Sequence, residues 1–241
     1  MSRVIFDIET IGVDFESLEE KSKEYLLKYA ETEEKAEEVK QSLAFYPVTG
    51  EVVAIGLLNP DSGKAVVYFR HGEGGEEKSK KQKNKKSSDT NDADDADETN
   101  VKYIEVRDEK ELLEKFWEDI KHYNQFITFN GRGFDCPFLI LRSAILGVSA
   151  SRDLMPYRYN DKEHLDLLEK LTFYGAVRKF SLDFFCKAFG IKSPKEGGIT
   201  GLEVPEFFRQ GKAREIAEYC YGDLVATAKL WEAWDKTVGG L

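Results

Sequence analysis

Residues 4–10 read VIFDIET, and the rest of the chain can be arranged around this stretch. Apolar residues that run directly into an acid are typical of a buried strand, and we predict a strand over residues 3–8. Because side chains alternate along a strand, Asp7 and Glu9 point to the same face. Neighbouring carboxylates repel each other and resist removal from water without a counter-charge. The stretch therefore indicates either a divalent-cation site or two solvent-facing acids at a strand end.

The composition limits the class of protein. The chain has 241 residues, of which 41% are hydrophobic and 33% charged, and no linker divides it, so we predict one α/β domain over residues 1–241. No apolar run is long enough to span a membrane, and no secretory leader precedes the first strand. Three cysteines without a CxxC pair fit a reducing compartment. We expect a cytoplasmic protein.

The formal net charge of -10 argues at first against a nucleic-acid substrate. The acids are unevenly distributed, however: residues 14–38 carry a net -6 and residues 71–100 a net -3, which leaves -1 elsewhere. Four acids of this remainder are candidate metal ligands. The acidic total therefore does not exclude an anionic substrate.

The first half of the chain is predicted to form an antiparallel meander. Strands over residues 51–58 and 64–70 flank an Asn-Pro-Asp-Ser-Gly turn and follow the first strand. Between the first two strands, residues 17–44 are predicted as one long charged helix with a thin apolar stripe. After a low-complexity segment, residues 101–106 resume an extended pattern.

Residues 72–100 contain KSKKQKNKK and then DTNDADDADETN, without an aromatic or branched aliphatic residue. Such a segment buries too little apolar surface to offset its ordering entropy. We predict a disordered insertion in a surface loop. Its lysine block either contacts a phosphate backbone or belongs to a solvated tether.

In the second half, the predicted elements alternate between helix and strand. Asp108 caps a helix, with Glu111 three residues later. A strand over residues 125–129 follows, and the further predicted helices cover residues 135–146, 182–189, 205–208 and 212–238.

Acids recur at three separated places that could meet in space. Asp7 and Glu9 lie on the first strand, and Asp135 lies where a strand passes through a glycine-rich turn into a helix. Tyr219 and Asp223 are four residues apart on the last predicted helix and so share one face. Four acids brought together need a counter-charge, which Mg²⁺ or Mn²⁺ supplies. Two such ions can clamp a phosphodiester displacement, and a neighbouring tyrosine can orient the attacking water.

These residues resemble a known family. FDIET at residues 6–10, NGRGFD at 130–135 and YCYGD at 219–223 resemble, in this order, the three motifs of the DEDD superfamily of exonucleases. The tyrosine indicates the DEDDy branch, because the other branch would place a histidine at position 218, where Glu218 stands. The similarity is greatest to predicted 3′–5′ exonucleases related to the exonuclease domain of family B DNA polymerases, and it covers nearly the whole chain outside residues 72–100.

The resemblance implies a ribonuclease H-like α/β fold, a central mixed sheet flanked by helices, and hydrolysis with two divalent cations, Mg²⁺ or Mn²⁺. It implies that Asp7, Glu9 and Asp223 hold one ion. Asp7 would bridge to the second, which Asp135 would support, and Tyr219 would position the water. The implied substrate is the 3′ end of single-stranded nucleic acid, with DNA preferred and nucleoside 5′-monophosphates released.

Several other residues have two interpretations. Asn130 and Arg132 either contact the substrate backbone or serve as a turn cap and a surface charge. Phe134 either stacks on a base or belongs to the core. His164 and Asp166 are expected to be structural more than catalytic. Further candidate phosphate contacts are Lys179 and Lys195.

Three alternatives to a deoxyribonuclease stay open: an exoribonuclease, a non-catalytic module that binds nucleic-acid ends, and a metal phosphatase acting on small nucleotides, which substrate length would discriminate. No polymerase domain fits in 241 residues, so we expect any polymerase or repair partner to act in trans. The sequence does not determine the oligomeric state.

Overall fold

The computed structural model describes residues 2–72, 100–192 and 199–239. The predicted disordered insertion at 72–100 lies outside the described residues except at its two ends, and Lys195 lies outside them too. The single-domain assignment stays a prediction.

Six strands form one mixed sheet in the order β4-β3-β2-β1-β5-β6. The strands are β1 Arg3–Gly12, β2 Gly50–Leu58, β3 Ala65–Arg70, β4 Val101–Val106, β5 Gln125–Thr128 and β6 His164–Asp166. The first three strands are antiparallel neighbours, so the predicted meander is confirmed. The other three join in parallel: β4 on β3, β5 on β1 and β6 on β5.

Eight α-helices are present in the described part of the chain. They are α1 Glu20–Leu27, α2 Glu33–Ser42, α3 Glu109–Ile120, α4 Asp135–Leu146, α5 Leu167–Leu171, α6 Leu182–Ala188, α7 Val204–Arg209 and α8 Ala213–Val238. The predicted cap of α3 is confirmed, because the Asp108 side chain accepts a hydrogen bond from the Glu111 backbone N–H. None of these helices is long and apolar enough to cross a lipid bilayer.

The prediction of one helix over residues 17–44 is wrong. The chain forms two separate helices there, α1 and α2, and neither has a buried residue. Thr32 caps α2 by accepting a hydrogen bond from the Lys35 N–H. Because the apolar stripe lapses between Tyr29 and Val39, no packing energy holds a continuous helix across Thr32, and the local cap prevails.

Helices cover both faces of the sheet, and β1 separates two of the three apolar clusters. Val4, Phe6 and Ile8 pack in one cluster with apolar residues of α3 and α4. Ile5 packs in another cluster, with Leu224 and Leu230 of α8. The alternation of β1 therefore turns Asp7 and Glu9 toward the α8 face.

Gly56 of β2 permits a close approach of α8 to this face. It lies opposite Asp7 in the sheet, and a Cβ atom there would lie 2.6 Å from Leu224 Cδ1 and 3.0 Å from Cys220 Sγ. Any larger residue at position 56 would push α8 away from the first strand.

Candidate active site

The structure brings the acids of β1 and α4 into contact. Asp135 is the first residue of α4, and its Oδ1 accepts a hydrogen bond from the backbone N–H of Ile8 at 3.1 Å. Ile8 lies between Asp7 and Glu9. This bond fixes the helix start against the strand, and the electrostatic influence of Asp135 reaches both Asp7 and Glu9.

A β-bulge marks the end of the acidic stretch. The β1–β2 register shifts between Glu9, which pairs with Ala54, and Thr10, which pairs with Val52. Bulges bend a strand and change the direction of nearby side chains, and they are common beside active sites. Glu9 is only 6% exposed and lies immediately before this bend.

Helix α8 supplies the remaining two predicted residues. Tyr219 and Asp223 lie one helical turn apart, and the Tyr219 hydroxyl donates a hydrogen bond to the Asp223 carboxylate. Asp223 acts electrostatically on Asp7, Glu9 and Asp135. All five residues predicted as catalytic are therefore neighbours in one site.

The acids of this site resist ionisation together. Burial raises the pKa of Asp7 and of Glu9 well above the usual carboxyl range, and the neighbouring acids raise each pKa further. Burial raises the pKa of Asp135 to about 7, although hydrogen bonds from backbone N–H groups oppose the shift. Burial, followed by Asp223, raises the pKa of the Tyr219 hydroxyl as well.

Within residues 2–72, 100–192 and 199–239, no lysine or arginine forms an ion pair with Asp7, Glu9 or Asp135. Carboxylate oxygens without an internal counter-charge are the donors that Mg²⁺ and Mn²⁺ prefer. The residues present therefore fit a divalent-cation site.

The predicted substrate contacts lie in the turn between β5 and α4. Asn130 has a left-handed backbone (φ 64°), a conformation that asparagine tolerates better than most residues. Its N–H and the N–H of Arg132 both donate to the carboxylate of Asp166, at 3.0 and 2.9 Å. The Phe134 ring is half-buried and lies 5.5 Å from the Phe138 ring, at the edge of the core.

The Arg132 side chain contacts the protein itself. It is 9% exposed, its Nη1 donates to the carbonyl of Pro156 at 3.0 Å, and its Nε lies 3.9 Å from the Glu169 carboxylate. Its Nε and Nη2 are buried without a hydrogen-bond partner among the described residues, so a phosphate contact would require a movement that exposes them. The predicted phosphate contacts of Asn130 and Arg132 stay predictions.

His164 and Asp166 have structural contacts, as expected. The His164 ring joins Thr128 Oγ1 at 2.9 Å to the carbonyl of Leu154 at 3.0 Å, and burial lowers its pKa to about 3. Asp166 caps α5 through the N–H groups of Leu168 and Glu169, besides holding the turn after β5. Their hydrogen bonds anchor the turn that leads to Asp135.

Cys220 lies beside the acids, where the sequence predicts only a small buried side chain. Its Sγ and one carboxylate oxygen each of Asp7 and Glu9 lie within 4.8 Å of one another. Cys220 is fully buried, and its thiol lies 3.9 Å from Asp7 Oδ2. The nearness of Cys220 to the acids follows from the sequence, because Cys220 lies three residues before Asp223 and so shares its helical face.

Comparison with known proteins gives one family. A sequence profile described as "Predicted 3'-5' exonuclease related to the exonuclease domain of PolB" matches residues 89–241. A DNA polymerase of Methanocaldococcus jannaschii is 29% identical over 139 residues, which cover 52% of this chain and 8% of the polymerase. DNA polymerase 1 of Sulfolobus acidocaldarius is 27% identical over 135 residues, which cover 53% of this chain and 15% of that protein. The chain thus spans only a small part of either polymerase.

A solved structure shows the same fold. The family B DNA polymerase from the hyperthermophilic archaeon Pyrobaculum calidifontis superimposes with a TM-score of 0.59 at 18% identity, over 97% of this chain and 24% of the polymerase chain. The predicted fold class is confirmed: the chain is an α/β protein of ribonuclease H-like type, with a central mixed sheet flanked by helices.

Proposed function

The chain belongs to the family of predicted 3′–5′ exonucleases related to the exonuclease domain of PolB, and from this membership we propose that it hydrolyses single-stranded nucleic acid from the 3′ end. We propose DNA as the preferred substrate and nucleoside 5′-monophosphates as the products. Association with a polymerase or a repair protein is part of the proposal.

One observation carries the proposal. Four acids from three distant parts of the chain meet beside a tyrosine, and the described residues give Asp7, Glu9 and Asp135 no cationic partner. Leaving buried carboxylates unpaired is costly, so their convergence favours a site that acquires positive charge from outside.

Two divalent cations, Mg²⁺ or Mn²⁺, fit this donor set. Asp7, Glu9 and Asp223 would hold one ion, and Asp7 together with Asp135 would support the other. When bound, such ions activate water and stabilise the charge that develops on phosphate oxygens during hydrolysis.

The protein's own residues would position the reactants. In the cation-free site the raised pKa keeps the Tyr219 hydroxyl protonated, and it donates to Asp223. It therefore suits the task of orienting a water molecule beside the acids better than the task of removing a proton. The hydrogen bond from Ile8 to Asp135 keeps the start of α4 aligned with β1.

The test uses a 5′-labelled single-stranded DNA and its RNA counterpart, each with Mg²⁺, with Mn²⁺ and with chelator. We expect a metal-dependent ladder that shortens from the 3′ end and forms faster on DNA. Asp7→Asn should reduce the rate at least about 1,000-fold, because it removes an anionic ligand from both proposed cations, which would stabilise the charge of the transition state. Asp61→Asn is the matched control, since Asp61 pairs with Arg3 outside the site.

The outcomes separate the alternatives. A faster ladder on RNA would make the protein an exoribonuclease. Binding of both substrates without a ladder would contradict the catalytic proposal and leave a module that binds nucleic-acid ends. Equal rates for Asp7→Asn and the unaltered protein would remove Asp7 from the chemistry.

A further inference from the structure

An exposed aromatic and basic surface lies on and before α6. We define the α6 surface as Phe173, Arg178, Lys179, Phe180, Phe184 and Lys187. Its three phenylalanines are 71%, 41% and 61% exposed, in chain order. Large apolar rings that remain in water beside cationic side chains are characteristic of binding surfaces.

The rings and charges of the α6 surface are arranged as a stacking platform. The Phe180 and Phe184 rings stack with their centroids 5.5 Å apart and an interplanar angle of 30°. The Arg178 guanidinium lies 5.0 Å from the centroid of the Phe180 ring. Aromatic faces beside cationic groups suit unpaired bases joined by phosphates, because bases stack on rings while phosphates attract the cations.

The charge balance singles out this part of the chain. Residues 170–192 contain five basic residues and one acid, a net +4, whereas the whole chain has a net charge of -10. The acid, Asp183, lies 2.9 Å from the Lys187 ammonium group. A polyanion would therefore meet a local attraction here within an acidic protein.

The position of α6 connects the surface with the acids. Phe185 turns inward, its ring 6.0 Å from that of Phe129, the residue before Asn130. Phe185 also packs against the apolar cluster that contains Leu224, the neighbour of Asp223. The α6 surface therefore lies beside the end of β5 that leads into the candidate active site.

A strained turn contains Phe173, the first residue of the α6 surface. Phe173 and Tyr174 both have left-handed backbones, with φ of 50° and 57°, followed by Gly175 with φ of 96°. Left-handed conformations of aromatic residues are unfavourable, because the Cβ atom then crowds the following carbonyl oxygen. The turn leaves the Phe173 ring exposed, so the ring is accessible to a binding partner.

We propose that the α6 surface binds the single strand behind its 3′ end. Bases stack on Phe180 and Phe184, and Arg178 and Lys179 contact the phosphates. This inference rests on the proposed function, because a strand with its 3′ end among the acids needs a path away from them.

The test compares three double variants by fluorescence anisotropy with a labelled 20-nucleotide oligothymidine in chelator. The variants are Phe180→Ala/Phe184→Ala, Arg178→Gln/Lys179→Gln and the control Tyr25→Ala/Tyr29→Ala. The control removes two rings that are 77% and 80% exposed within the acidic segment 14–38. It therefore matches the loss of exposed rings without the basic surroundings.

We expect the phenylalanine variant to raise the Kd at least about 10-fold, since stacking contributes about 1–3 kcal/mol per base. The Arg178→Gln/Lys179→Gln variant should reduce the slope of log Kd against log salt by about 1.4, the value for two phosphates of a single strand. The tyrosine control should leave the Kd unchanged. Circular dichroism of each variant checks that the fold is retained.

Hydrolysis of a dinucleotide separates this inference from the function. If the α6 surface binds only the strand behind the 3′ end, a dinucleotide held among the acids leaves no base for that surface. Both surface variants should then cleave the dinucleotide at the rate of the unaltered protein while cleaving the 20-mer poorly at low concentration. Unchanged Kd values, an equal loss in the tyrosine control, or no binding by the unaltered protein would overturn the inference. Binding that depends on Phe180 and Phe184, without any hydrolysis, would support the surface and contradict the proposed function.

Discussion

Two of the sites where this protein buries acidic side chains differ in whether a cationic side chain pairs with the acid. Glu109, at the start of α3, is 7% exposed and is surrounded by donors. Its carboxylate accepts hydrogen bonds from Arg142 Nε at 2.9 Å and Nη2 at 2.6 Å, and from the Val52 N–H at 2.8 Å. The charge of Glu109 is thus matched inside the protein, by a two-pronged arginine contact.

At the candidate active site, acids are placed against one another instead. Glu9 and Asp135 are 6% and 4% exposed, as deeply buried as Glu109, yet among the described residues no arginine or lysine pairs with either. Burial and mutual repulsion raise the pKa of both. Burial alone therefore does not define the site. A buried acid with an internal cationic partner stabilises the fold, whereas buried acids without one fit the cation site proposed above.

The strongest way to break this comparison is to remove the partner of Glu109. Arg142→Met keeps the bulk of the side chain and leaves the Glu109 carboxylate buried without a cation. We expect the free energy of unfolding to fall by about 3–5 kcal/mol in urea titrations. The double variant Glu109→Gln/Arg142→Met retains an acceptor for the Val52 N–H and should recover most of this loss. A single variant within about 1 kcal/mol of the unaltered protein would contradict the account.

The opposite response is expected when charge is removed from the site. In chelator at pH 8, Asp7→Asn should raise the free energy of unfolding by about 1–3 kcal/mol, since burial and the neighbouring acids disfavour the ionised carboxylate that the variant removes. Glu109→Gln should lower it, because Arg142 loses its counter-charge. In urea titrations, added Mg²⁺ should raise the free energy of unfolding of the unaltered protein and have little effect on that of Asp7→Asn. Destabilisation by Asp7→Asn in chelator would show that this acid supports the fold.

Much of the candidate site is predictable from local sequence signals. The alternation in VIFDIET predicted that Asp7 and Glu9 share a face, and the four-residue spacing predicted the same for Tyr219 and Asp223. The Asp108 cap and the helix over residues 135–146 were also local, and both are confirmed. Placing the three acidic segments together needed the resemblance of the motifs to a known family.

What the sequence did not predict depends on contacts between distant residues. The role of Asp166 in holding the Asn130 turn requires β6 to pair with β5, a neighbour relation that no local pattern determines. The partners of Arg132 are likewise set by the position of Pro156. The apolar pattern over residues 17–44 predicts one continuous helix and does not reveal that the chain begins a new helix at the Thr32 cap.

The smallest expected effect is a dependence of stability on pH. A carboxyl with a raised pKa in the folded state holds its proton more tightly there than in the unfolded chain, so it stabilises the fold at low pH and loses this contribution as pH rises through the folded pKa. Asp135, with a pKa of about 7, should make the cation-free protein more stable by about 1 kcal/mol at pH 6.5 than at pH 8.

His164 contributes a pH dependence of the opposite sign. Burial lowers its pKa from the ordinary 6.5 to about 3 in the folded protein, so at low pH the unfolded chain binds the proton more tightly. Stability from this residue is lost as pH falls through 6.5, and because the unaltered protein and Asp135→Asn lose it equally, it cancels in their comparison.

Asp135→Asn keeps an acceptor for the Ile8 N–H and should reduce the dependence of the free energy of unfolding on pH, measured by urea titration in chelator, to the part that Asp7 and Glu9 contribute. Glu109→Gln should leave the dependence unchanged. If the free energy of unfolding of Asp135→Asn depended on pH as strongly as that of the unaltered protein, Asp135 would already be ionised in the folded protein. Asp135 would then resemble Glu109, whose charge is matched inside the protein, more than an acid of a cation site.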